Sequence, residues 1–149
     1  MKLIKPKYEI LQSQGLFKDI EVAARTCYKS EMNITEDSAD KMVKSLIERG
    51  HTAMLEHATV YLLIPCTTRF SGSIPFYSDN KYTKVSDCKI GGEYFYAITT
   101  NYRVLIEGQD NPFTDVWQDL EELQCEPTEF HEKRISVRFT CDRKLQSAA

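Results

Sequence analysis

A chain of 149 residues with ordinary apolar, charged and aromatic fractions (42%, 28% and 11%) reads as one globular domain able to bury a core. Its net charge of −3 gives no general attraction to nucleic acid or anionic membrane, so any polyanion site must be local. No apolar run approaches the roughly 20 residues that cross a bilayer, and the N-terminus lacks a secretion-signal pattern. Five scattered cysteines without a Cys-x-x-Cys pair suit reduced thiols in a cytoplasmic protein.

Lys2-Leu3-Ile4 and Tyr8-Glu9-Ile10-Leu11 flank Pro6 as short extended pieces. Leu16, Ile20, Ala23, Ala24 and Cys27 then repeat at helical spacing, predicting a helix from near Gly15 to about Tyr28. Cys27 falls on the apolar side of that helix, where a buried inert thiol is expected rather than a nucleophile. Asn33 and Thr35 are both candidate N-caps for the next helix, and Glu36, three residues after Asn33, resembles the partner in a capping box. Ala39, Met42, Val43, Leu46 and Ile47 give that helix one apolar face, and Gly50 stands where a left-handed residue stops it.

Thr59 to Ile64 reads as a strand closed by Pro65. Residues 67–92 are polar and rich in Gly, Ser, Asp and Asn, which predicts a loop or mobile excursion. Tyr94 to Thr99 is a second strand, after which Thr100 or Asn101 can cap a short helix through Ile106. Asn111-Pro112 starts another helix, carrying Phe113, Val116, Trp117, Leu120 and Leu123 and ended by Pro127. Ile135, Val137 and Phe139 alternate with polar residues as a half-buried strand does. The expected arrangement pairs this strand with the one ending at Pro65 and makes residues 67–133 an insertion with its own strand and helices. The fold class is α+β, with helices packed on a mainly antiparallel sheet.

Chemistry concentrates in Gly50-His51-Thr52-Ala53-Met54-Leu55-Glu56-His57, which puts two of three histidines and a carboxylate at a helix-to-strand junction. His51 and His57 are six residues apart and His131 is distant, so no metal site is expected. Each histidine is open to two uses, a hydrogen-bonding group at an element end or a group of a site. Glu56 and His57 point apart if extended, one toward the core and the other toward a site. Arg25, Lys29, Arg69, Lys133, Arg134 and Arg138 can contact phosphate, although solvated faces are the commoner use of such charges. No glycine-rich phosphate loop is present. Tyr94, Phe95 and Tyr96 suit sheet core better than ring stacking.

The run Ala23-Ala24-Arg25-Thr26-Cys27-Tyr28-Lys29-Ser30-Glu31, then Ile34-Thr35-Glu36-Asp37-Ser38, then Gly50-His51 through Leu55-Glu56-His57, resembles the flavin-dependent thymidylate synthases. That family has an A-R-x-C/S-Y helix, a second helix and a G-H-x-x-x-x-E-H turn in this order. Cys125 to Arg143 looks like the strand that, in one branch, precedes the family signature, and Thr99-Thr100-Asn101-Tyr102-Arg103 looks like that branch's insertion. The resemblance implies reductive methylation of dUMP to dTMP, with methylenetetrahydrofolate giving the carbon and reduced FAD, regenerated by NADPH, giving the hydride. It implies a catalytic role for His51 beside the flavin and places Ala53, Glu56 and Cys27 in the cofactor's neighbourhood. Ala53 stands where many members carry Ser or Thr, so a hydroxyl contact is absent there. It also implies a homo-oligomer, a tetramer in the family.

The same resemblance places an Arg-His-Arg-x-x-Ser signature shortly after Arg143, where this chain reads Lys144-Leu145-Gln146-Ser147-Ala148-Ala149. Residues 1–143 are therefore expected to be a partial domain and 144–149 an unrelated tail. A dianionic nucleotide and a pyrophosphate need several fixed cations, so the chain is expected to be truncated and inactive alone. The alternative is a non-catalytic truncated paralogue acting as a binding or assembly module.

Overall fold

The structure is a computed structural model describing residues 4–67, 78–107 and 120–141. Among these residues the chain order is β1 (Lys7–Leu11), α1 (Leu16–Tyr28), a 3-10 turn (Glu31–Asn33), α2 (Ser38–Glu48), a second 3-10 turn (Thr52–His57), β2 (Thr59–Pro65), β3 (Lys84–Ile90), β4 (Glu93–Asn101), α3 (Tyr102–Glu107), α4 (Leu120–Leu123) and β5 (Ser136–Thr140). The class is α+β with antiparallel sheets, as the sequence predicts.

The strand pairing differs from expectation. The β2 strand does not pair with β5; it lies beside β4 in a sheet of order β2-β4-β3, and β5 pairs with β1 in a separate ribbon. Register explains both choices. Leu62 faces Ile98 and Ile64 faces Tyr96, so β2 and β4 present matched apolar residues to one core. Along β5, Phe139 faces Tyr8, Val137 faces Ile10 and Arg138 faces Glu9, which matches apolar with apolar and cation with anion. The supposed insertion thus supplies the central strand of the larger sheet. Within 67–92, Lys84–Ile90 is a strand rather than loop, turned into β4 through Gly91 and Gly92 at φ +59° and +86°. Two successive left-handed glycines make the tight turn whose twist suits a hairpin.

Two apolar clusters carry the fold. One packs Val60, Leu62, Ile64, Ile98, Leu105 and Leu123 on a face of the larger sheet. The other joins Ile20 and Ala24 of α1 to Val43 and Leu46 of α2, with Leu55, Ala58 and Tyr102 closing it. Helix α1 starts after Gly15, as predicted, but α2 starts later than the proposed caps. Asn33 is used in the 3-10 turn, and the Ser38 hydroxyl instead accepts from the Thr35 N–H (2.8 Å) and donates to the Thr35 carbonyl (3.0 Å). Asn101 caps α3, its Oδ1 accepting from the Val104 N–H at 3.0 Å. The β1–β5 ribbon departs from the half-buried expectation, with Tyr8 and Phe139 each 70% exposed. The predicted helix start at Asn111-Pro112, and the residues from Phe113 to Trp117, lie outside the described residues. No helix among the described residues is long and apolar enough to cross a membrane.

Candidate functional site

The Gly50–His57 segment is fixed at both ends by its backbone. At the end of α2 the Gly50 N–H donates to the Ile47 carbonyl (3.1 Å) and the His51 N–H to the Leu46 carbonyl (2.9 Å), with Gly50 at φ +72°. This paired closure satisfies two of the terminal carbonyls of the helix and requires the left-handed residue at Gly50. The chain then winds as a 3-10 helix rather than an extended turn, which drops Leu55 and Ala58 fully into the second cluster. The Ala58 carbonyl accepts from the Tyr102 N–H at 3.0 Å, and the Tyr102 ring meets Phe17 edge-on at 5.3 Å.

Polar contacts from α3 complete the support. The Arg103 guanidinium donates to the Glu56 carboxylate through Nη1 and to the Glu107 carboxylate through Nε (2.9 Å), while Thr52 donates its hydroxyl to the same Glu107 oxygen (3.0 Å). The Arg103 bond holds the Glu107 carboxyl below its ordinary range against the opposing effect of partial burial, and the Thr52 bond adds to it. Bonds to Glu107 and then Glu56 raise Arg103 in turn, so the ionised pairing is favoured from both sides.

A cleft of about 1070 Å³ opens beside this segment. Its walls are the β1–β5 ribbon, residues 12–15, one flank of α1 with Asp19, Ala23 and Cys27, the Met54-Glu56-His57 side of the turn, and residues 124–127. Asp19 accepts from the Ser13 hydroxyl (2.6 Å) and the Gln14 N–H (2.9 Å). Two guanidinium groups line it, and both are already engaged. Arg138 pairs with Glu9, while Arg134 lies 3.5 Å from Glu132 and donates to the Tyr82 carbonyl at 2.6 Å. Burial, and then the neighbouring Glu126, pushes the Cys125 thiol up, which keeps it protonated and a poor nucleophile.

The four residues singled out from the sequence fall in two places. Cys27 and Glu56 line the cleft. Cys27 is exposed rather than buried, because it stands in the last turn of α1, beyond Ile20 and Ala24, which are packed against α2. His51 and Ala53 are exposed outside the cleft lining, and His51 Nδ1 lies 3.2 Å from the Tyr28 hydroxyl. Of the candidate phosphate contacts, Arg25 is tied to the buried Glu21 at 3.3 Å and Arg69 lies outside the described residues.

Sequence reasoning missed two residues. Arg103 had no sequence signal beyond its spacing of four from Glu107. His131, only 7% exposed, donates from Nε2 to the Leu62 carbonyl (2.9 Å) and accepts at Nδ1 from the Thr128 N–H (3.0 Å), with its ring edge-on to Tyr61. It is a satisfied interior group that ties the approach to β5 onto β2.

The sequence model of one family, described as thymidylate synthase complementing protein, matches residues 9–72, from within β1 to just beyond β2. The match covers the two helices and the Gly50–His57 segment in a single span. No curated protein and no solved structure matches the chain.

Proposed function

We propose that this chain carries one wall of a flavin-dependent thymidylate synthase site, acting in reductive methylation of dUMP with methylenetetrahydrofolate, FAD and NADPH. The observation that carries the reading is the family match over residues 9–72, the span in which the end of α1 and the Gly50–His57 turn lie side by side. On this reading Cys27 and Glu56 line the binding cleft, and His51, with Ala53 two residues on, would be the group that acts beside the flavin. The setting is the cytoplasm, and the working form is a homo-oligomer.

The fit of FAD to the described residues is partial. Its pyrophosphate needs uncommitted cations, and both guanidinium groups in the cleft already face carboxylates. The cleft lining alone therefore does not make an FAD site, and no chemical step is assigned through the flavin. The missing charge would have to come from outside that lining. The engaged arginines, with the exposed Tyr8 and Phe139, favour as second reading a non-catalytic module that binds or assembles with a partner.

A fluorescence titration of the purified protein with FAD, with and without dUMP, tests the first reading. Saturable quenching that Cys27→Glu weakens while leaving Tm unchanged supports it. No quenching up to about millimolar FAD, where binding is worth only about 4 kcal/mol, overturns it for this chain and leaves the second reading.

A further inference from the structure

Tyr28 ends α1 and His51 follows α2, and each sits where a helix end is fixed by a left-handed residue. Tyr28 is the last residue of α1, followed by Lys29 at φ +53°, and the Ser30 N–H closes that end on the Arg25 carbonyl at 2.9 Å. His51 follows Gly50 and closes the end of α2 through its own N–H. The helices are locked together by Ile20, Ala24, Val43 and Leu46. The 3.2 Å approach of the Tyr28 hydroxyl to His51 Nδ1 is therefore set by two capped helix ends rather than by loose side chains. Nε2, on the far side of the ring, has no protein partner among the described residues.

A phenol oxygen shares its lone-pair density with the ring, which makes the hydroxyl a better donor than acceptor. An unprotonated imidazole nitrogen is a good acceptor. The hydroxyl thus donates to Nδ1, and the proton of the neutral imidazole resides on Nε2. We propose that Tyr28 is a positioning residue that fixes His51 as the Nε2–H tautomer, so that His51 offers a hydrogen-bond donor, not a base, to a ligand carbonyl. The tautomer rests on the 3.2 Å approach together with the donor preference of the phenol; its use toward a carbonyl-bearing ring rests on the reading proposed above.

Long-range proton–nitrogen NMR on protein labelled at histidine, at a pH where the ring is neutral, reads the tautomer directly. His51→Asn identifies the resonances. The expected result is a pyridine-type Nδ1 and a pyrrole-type Nε2 for His51, with both nitrogens shifting toward the averaged position in Tyr28→Phe. Tyr28 is 48% exposed and the substitution keeps its ring, so an unchanged Tm separates the effect from a folding defect. A pyrrole-type Nδ1 in the parent protein, or His51 nitrogen shifts that Tyr28→Phe leaves in place, overturns the proposal. Adding dUMP, or separately FMN, then tests the use of the donor and distinguishes a pyrimidine carbonyl from a flavin one. If the tautomer is as stated and neither ligand moves the Nε2 resonance, it is the thymidylate-synthase reading that fails.

Discussion

Replacing Arg103 with alanine removes a guanidinium that spans two carboxylates, Glu56 on the cleft and Glu107 on its own helix. The Arg103 side chain is 27% exposed and Glu56 32%, so that pair is worth more than a fully solvated one, about 1 kcal/mol. The Glu107 arm, half exposed and four residues along one helix, adds about 0.5 kcal/mol. A loss of about 1.5 kcal/mol should lower Tm by about 3–6 °C in a chain of this size. Thermal unfolding followed by circular dichroism measures it, and Glu56→Gln with the double variant isolates the cleft arm. Acid adds a check of sign. Glu107 is held below its unfolded value near 4.5, so its contribution is present above that pH and lost as pH falls through the lower folded value. The parent and Arg103→Ala should therefore converge in stability below pH 4.5, the span where Glu107 becomes protonated. A Tm for Arg103→Ala unchanged at low salt and neutral pH, or a gap that widens in acid, would refute the assignment of Arg103 as the anchor of the turn.

Two further substitutions probe the frame around the site. His131→Leu keeps roughly the volume but leaves the Leu62 carbonyl and the Thr128 N–H without their ring partner, and should cost about 2–3 kcal/mol; a urea midpoint showing less than about 1 kcal/mol would mean that water replaces the imidazole. Gly50→Ala places a Cβ in open space, so its whole effect is the strain of a left-handed alanine, about 1 kcal/mol. A variant as stable as the parent would show that the end of α2 closes in some other way.

The parts of the fold legible in the sequence are those fixed by neighbours along the chain. Gly15, Gly50 and Asn101 punctuate helices through bonds to residues within five positions, and all three are where the pattern puts them. Strand partners were not legible, because β2 is a continuous apolar run and β5 alternates apolar and polar residues, and neither pattern says which strands meet. The cue that was present and overlooked is Gly91-Gly92 between two extended runs, a hairpin signal that pairs β3 with β4 and puts β4 within reach of β2. Cys27 misled because helical angle predicts a face but not where the covering helix ends. Arg103 and His131 act through contacts 47 and 69 residues away in sequence, a separation at which no spacing rule operates.

The span that matches the family model is not a structural unit, and this bears on how its chemistry can work. Within residues 9–72, Leu55 and Ala58 are fully buried, but the cluster that buries them is completed by Tyr102. Glu56 takes its counter-charge from Arg103, and Thr52 donates to Glu107. The β2 strand obtains its sheet partner from β4. Cut after residue 72, the segment would keep its motifs and lose the groups that orient them, leaving a β-strand with an unpaired edge and an apolar turn open to water. The cleft has the same dependence, since one of its walls is β1 joined to β5 across most of the chain length. Positions of Cys27, His51 and Glu56 relative to one another are therefore a property of the whole described chain. An activity carried by these residues should respond to substitutions in α3 that never touch a ligand.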